Sequence, residues 1–116
     1  VNKHGVANPN YHYEDLIRLH EMYEKMDLIN PACGVDANHS NSNKNPFEQP
    51  RICKEVLNSC KKFSDIKTML KGFMIESYLE DGCQKVGGDV YGKSITDACL
   101  GFEKTERLIY DLAEML

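Results

Sequence analysis

The stretch SDIKTMLKGFMIESYLE, Ser64 to Glu80, decides the fold. Its Ile66, Met69, Leu70, Phe73 and Met74 recur at intervals of three and four, the spacing that gathers apolar side chains on one helix face. Ser64 stands where an N-cap belongs, so the pattern predicts a helix from about Asp65 to Glu80. On this reading no segment alternates in the manner of a strand, and the rest of the chain is arranged around helices.

On the N-terminal side, Pro50 suits the first position of a helix over about Arg51 to Phe63, in which Ile52, Cys53, Val56, Leu57 and Cys60 share a face. Before it, residues 33–49 are rich in Gly, Asp, Asn, Ser and Pro, which bond locally and compete with regular structure, so a long surface loop is expected there. A further helix is predicted over about Tyr13 to Leu28, apolar through Leu16, Leu19, Tyr23 and Met26 and ended by Asn30-Pro31. Residues 1–12 form an N-terminal arm.

On the C-terminal side, Gly82 to Gly92 is a glycine-rich connector. Ser94-Ile95-Thr96-Asp97 reads as a capping box that opens a last helix running through Ile95, Cys99, Phe102, Ile109, Leu112 and Leu116. The expected fold is therefore a single all-α domain over residues 1–116, a bundle of four helices.

Lys+Arg number 14 against 18 Asp+Glu, for a net charge of -4, so no basic excess exists to neutralise a run of phosphates, and nucleic acid is not expected as a partner. No apolar run approaches the roughly 20 residues of a membrane span. The five cysteines form no C-x-x-C pair and no Cys/His grouping of zinc-site spacing, which makes disulfides in an oxidising compartment the expectation. A first residue Val1 fits removal of a leader, and Asn38-His39-Ser40 is a glycosylation sequon in the predicted loop. Together these point to secretion.

If the second and third helices form a hairpin at Phe63-Ser64 and the fourth returns along the third, the second and fourth run side by side. At a rise of 1.5 Å per residue, Cys53 then lies about 15 Å above the hairpin and Cys99 about 20 Å, near enough in level to pair. Cys83 ends the third helix near the point where the loop carrying Cys33 arrives. The geometry predicts bridges Cys33–Cys83 and Cys53–Cys99, with Cys60 a buried free thiol.

One stretch matches a nucleotide-binding pattern. GGDVYGKS, Gly87 to Ser94, fits G-x-x-x-x-G-K-[ST], in which backbone N–H groups cradle phosphates, the lysine reaches the terminal ones and the hydroxyl binds magnesium. Such a loop hangs from a buried parallel strand, yet the residues before it, SYLEDGCQKV, are charged and not β-rich. No nucleotide is therefore expected: the glycines turn the chain and Ser94 caps the next helix.

No catalytic, cofactor-binding or metal-ligating set emerges. The histidines, His4, His12, His20 and His39, read as solvated surface groups, and His20 with Glu24 lacks the second histidine of a zincin helix. Cys60 has no identifiable base to activate it. Met22, Met26, Met69, Met74 and Met115 could line a pocket for a lipophile, although methionine at helical spacing also serves as plain core.

The segments NKHGVANPNYHYEDLIRLHEMYEKM, RICKEVLNSC and DACLGFEKTERLIYDLAEML resemble the albicin-like family of anopheline mosquito salivary inhibitors, and the resemblance runs along the whole chain. It implies a secreted, non-enzymatic inhibitor that binds host defence proteins, blocking the alternative complement pathway at the C3 convertase formed by C3b and factor Bb. The alternative is a helical carrier of small lipophilic ligands, similar to odorant-binding proteins, although the cysteine spacing departs from theirs.

Overall fold

The computed structural model describes residues 4–116; the first three residues of the N-terminal arm lie outside the described residues. Two elements match helices read from the sequence. Helix α1 spans Tyr13–Lys25, with Glu14 and Asp15 at the positive end of its dipole and Lys25 in its last turn. Helix α3 spans Gln49–Lys62 and buries Ile52, Cys53, Val56, Leu57 and Cys60, the face that its spacing selects.

The deciding stretch is not one helix. It divides into a short helix, α4, at Ser64–Met69 and a strand, β2, at Leu70–Met74. The strand pairs in parallel with β1, Cys33–Asp36, through Gly34 opposite Gly72, Val35 opposite Phe73 and Asp36 opposite Met74. The segment expected to be a loop thus supplies a strand, followed by a single-turn helix α2, His39–Ser42, and a 3-10 turn at Pro46–Glu48. The fold is α/β, not all-α.

The physical reason is that Leu70, Phe73 and Met74 satisfy a helical spacing and a short apolar strand equally well. Gly72, a poor helix residue, lies at the centre of the stretch. Five residues, Leu70 to Met74, with Gly72 at their centre, are too few to state the alternation of a strand.

The last helix, α5, begins at Phe102 and runs to Met115, seven residues beyond the predicted start at Ile95. Its only buried residue is Leu108, while Ile95, Phe102, Ile109 and Leu116 are exposed. Between β2 and α5 the chain is extended and irregular. It is held by isolated bridges, Ser77 to Leu100, Gly82 to Cys99 and Cys83 to Ser94. Asp81 fastens the start of α5: its Oδ1 accepts from the Gly101 amide at 2.7 Å and its Oδ2 from the Lys104 ammonium.

Both expected disulfides are absent, and all five cysteines are free thiols. The pairing required a third helix carrying the chain back along α3. With α4 ending at Met69, Cys83 falls in the connector, Cys33 stands opposite Leu70 in the sheet, and Cys99 pairs its main chain with Gly82. Cys53 is wholly buried and its thiol is pushed up to about 11 by desolvation, which keeps it protonated.

One core serves the molecule. Leu16 of α1, Val35 of β1, Ile52 and Val56 of α3, Ile66 and Met69 of α4, Leu100 and Leu108 pack together with little or no solvent contact. Burial of each such side chain contributes about 1.5–3 kcal/mol. This core fixes the two strands side by side, so their C-terminal ends open on the same edge.

Candidate metal centre

In parallel sheets the loops that leave the C-terminal ends of neighbouring strands converge, and this is where α/β proteins place their chemistry. Here the two loops bring His39, three residues beyond β1, to Glu76, two residues beyond β2. Asp97, from the segment leading to α5, completes the group. One ligand atom from each of the three lies within 4.8 Å of the others. His39 Nε2 stands 3.3 Å from Asp97 Oδ2 and 3.7 Å from Glu76 Oε1.

Local structure explains how His39 is aimed. Asp36, the last residue of β1, takes the Asn38 amide on Oδ1 at 2.9 Å and the His39 Nδ1–H on Oδ2 at 2.8 Å. Its carbonyl accepts from Asn41 Nδ2 at 2.8 Å. These bonds fold the chain back tightly enough that His39 adopts φ 51°, in the left-handed region. With Nδ1 occupied as a donor, Nε2 is the nitrogen left to accept a cation, the carboxylate–histidine arrangement typical of metal sites.

Glu76 and Asp97 are set by main-chain bonds. Leu100 donates to the Glu76 carbonyl at 3.0 Å, and Tyr78 donates to the Leu100 carbonyl at 3.0 Å, so the segment containing Asp97 is pinned beside the one containing Glu76. Lys44 Nζ lies 3.4 Å from Asp97 Oδ1, on the side away from His39.

The electrostatics follow. Three carboxylates around one imidazole favour its charged form, and the His39 pKa is raised, chiefly by the hydrogen bond to Asp36, which desolvation opposes and the charges of Asp36, Glu76 and Asp97 reinforce. Two carboxylates so close repel each other, and a cation between them relieves that repulsion. One imidazole and two carboxylates are ligands suited to a divalent ion of the zinc, manganese, iron or cobalt group, and three protein ligands are the number found where a coordination position is kept for substrate.

The sequence assigns none of this: His39 reads as a solvated group within the sequon, Asp97 belongs to the expected capping box, and Glu76 falls inside the expected third helix without a role of its own. The other histidines stay apart from the cluster: His12 bonds Glu55 at 2.9 Å and His20 faces Asp65 at 4.0 Å. Asn38 is 1% exposed, and its Nδ2, the atom to which a glycan would be joined, is buried without a hydrogen-bond partner. A glycan there requires this loop to open.

The P-loop-like stretch lies elsewhere. Residues 75–86 separate Gly87 from β2, and residues 95–101 separate Ser94 from α5, so neither the strand nor the helix flanks it. Ser94 caps no helix: its hydroxyl accepts from the Thr96 amide at 3.1 Å in a local turn.

The DAHP synthetase I family model matches residues 3–109. The phospho-2-dehydro-3-deoxyheptonate aldolase, Trp-sensitive, of Escherichia coli is 38% identical over 112 residues, which is 94% of this chain and 31% of that protein. The phospho-2-dehydro-3-deoxyheptonate aldolase of Haemophilus influenzae is 36% identical over 113 residues, 95% of this chain and 30% of its own length. The solved structure of the Francisella tularensis aldolase of the same name superposes with a TM-score of 0.82 at 32% identity, covering 93% of this chain and 31% of that one. The chain therefore spans about a third of the length of the relatives it matches.

These matches overturn the resemblance to mosquito salivary inhibitors, and with it the C3b and factor B partner, the secreted location and the reading as a non-enzyme. The odorant-binding-like carrier falls with them. The relatives are bacterial enzymes named for a small phosphorylated substrate. No helix among the described residues is long and apolar enough to cross a membrane. With the family model covering nearly the whole chain and the fold shared with a solved relative, the chain belongs to the DAHP synthetase I family.

Proposed function

We propose that this chain supplies His39, Glu76 and Asp97 as ligands of a divalent metal ion in a phospho-2-dehydro-3-deoxyheptonate aldolase. The observation that carries the reading is their convergence within 4.8 Å at the C-terminal ends of β1 and β2, in a chain that aligns with aldolases over 94% of its length. An aldolase makes or breaks a carbon–carbon bond beside a carbonyl, and a bound divalent ion supplies the Lewis acid that polarises a carbonyl oxygen.

The chain's own residues have separable tasks. Asp36 fixes the tautomer and direction of His39. Glu76 and Asp97 contribute the negative charge that retains a cation. Lys44 holds the outer oxygen of Asp97, which leaves Oδ2 turned toward His39.

The test is a titration with Mn2+ followed by the electron paramagnetic resonance signal of the free ion. Wild-type protein removes that signal stoichiometrically, and His39→Ala weakens binding by more than about a hundredfold, beyond the loss typical for a residue that only supports a ligand. Equal Mn2+ binding by wild type and His39→Ala would overturn the assignment.

A further inference from the structure

We infer that Gln49, the first residue of α3, is a positioning residue that sets Glu76 for the metal. This rests on the reading of Glu76 as a ligand. Gln49 is entirely shielded from solvent, unusual for a glutamine, and both ends of its amide are committed to one residue. Its Oε1 accepts from the Glu76 amide at 2.8 Å, and its Nε2 donates to the Glu76 carbonyl at 2.9 Å. Two bonds to the main chain on either side of one Cα reproduce what a neighbouring strand does for a residue in a sheet.

The position explains the need. β2 ends at Met74, and the partner strand β1 ends at Asp36, so the ladder that holds β2 stops before Glu76 is reached. The last sheet-like bond is Ala37 donating to the Met74 carbonyl at 2.9 Å. Beyond it Gln49 takes over the role of a strand on one side, and Leu100 reaches the same Glu76 carbonyl from the segment that carries Asp97. Removal of Gln49 takes away the acceptor of the Glu76 amide and leaves the carbonyl with Leu100 alone. The carboxylate then hangs from a peptide free to rotate.

Gln49 is itself placed with care. Pro46–Glu48 form a 3-10 turn whose entry is capped by Asn45 Oδ1 accepting from Phe47, and Pro50 follows within the first turn of α3. The start of the helix is therefore rigid, and so is the reach of the Gln49 side chain. A buried polar group satisfied twice by the main chain of one residue specifies geometry more than it adds stability.

A double-mutant cycle separates positioning from packing, with Mn2+ affinity of the whole chain as the readout. Gln49→Met keeps the length and fills the space without hydrogen bonds, and is expected to weaken Mn2+ binding about tenfold, as the loss of a supporting residue does. In a Glu76→Gln background, where the carboxylate is already gone, the same substitution should cost no further affinity. Gln49→Glu, which retains the acceptor for the Glu76 amide, should lie between wild type and Gln49→Met. It also serves if Gln49→Met does not fold.

Equal losses from Gln49→Met in both backgrounds would show a structural role only and overturn the inference. So would wild-type affinity in Gln49→Met beside a weakened Glu76→Gln. If Glu76→Gln binds Mn2+ as tightly as wild type, the ligand reading of Glu76 is what fails, and the positioning role falls with it.

Discussion

Two turn-rich segments of this chain have opposite uses. Residues 37–48 are rich in asparagine and residues 82–94 in glycine; the first is folded by Asp36 and leads into Gln49, the second is held by Gln84. Gln49 is buried and holds Glu76. Gln84 is partly exposed and holds its own loop, donating to the Val90 and Lys93 carbonyls at 2.7 and 3.0 Å while accepting from the Val90 amide at 3.2 Å. In the first segment Ala37, Asn38 and Ser42 are buried and the left-handed conformations fall on His39, Asn43 and Lys44. In the second the left-handed positions are glycines, and Val86 and Tyr91 are almost fully exposed. A turn that glycine makes freely needs no support; a turn that histidine and lysine make must be held by its surroundings, and such turns gather at functional sites.

The sharpest way to break this contrast is at Asp36. Asp36→Asn removes the charge that orients His39 and should weaken Mn2+ binding by about 10- to 100-fold, whereas no single change in 82–94 should do so. The pH dependence has a defined sign. The His39 pKa is raised above its ordinary value of 6.5, so in the metal-free protein its pairing with Asp36 stabilises fully below 6.5 and is lost as the pH rises through the raised value. Metal binding needs the neutral imidazole and runs the other way, strengthening across that same interval. In Asp36→Asn the histidine should titrate lower, visible in its ring proton shifts by NMR. An unchanged His39 titration would show that the other carboxylates suffice.

The contrast also marks what could be read from the sequence. Helices α1 and α3 were legible because an amphipathic helix states its period over three or four turns, and Ile52, Cys53, Val56, Leu57 and Cys60 did so. Strand β2 was not, because five residues around Gly72 carry no period of their own. Extending α4 through β2, together with a last helix begun seven residues early, produced the two false disulfides. The site was illegible for a different reason. His39, Glu76 and Asp97 are brought together by parallel pairing of β1 and β2 and by the bridge from Ser77 to Leu100, and contacts that distant in sequence leave no spacing to recognise. The clue available was local: Asp36 three residues before His39, at the end of Cys33-Gly34-Val35, is an acid and a histidine closing an apolar run.

Within the second segment, two glycines sharpen the comparison. Gly92 has φ +78°, and a Cβ added there would lie 2.8 Å from Leu79 Cβ; Gly87 has φ +88° with open space around it. Gly87→Ala should cost about 1 kcal/mol through left-handed strain alone. Gly92→Ala adds steric overlap and should cost about 2 kcal/mol. Urea unfolding of the two variants gives the ranking, and equal losses would mean that Leu79 yields without cost.

The smallest effects are expected at the residues that most resembled a nucleotide site. Lys93 holds its loop through the main chain: its amide donates to the Val90 carbonyl at 3.4 Å and its carbonyl receives Gln84. Lys93→Ala should therefore change stability by no more than about 0.5 kcal/mol. Ser94 is expected to matter equally little. As a helix cap its loss would cost about 1 kcal/mol, but α5 starts at Phe102, and the hydroxyl bonds Thr96 and the Cys99 thiol rather than a helix amide. Ser94→Ala should accordingly stay within about 0.5 kcal/mol of wild type, and Mn2+ affinity should be unmoved in either variant. Cys83 and Ser94 are bridged, however, and Asp97 follows three residues later, so this loop borders the segment that delivers a ligand. A tenfold loss of Mn2+ binding in Ser94→Ala would show that the glycine-rich connector helps to place Asp97, and the separation drawn between the two segments would then fail at that residue.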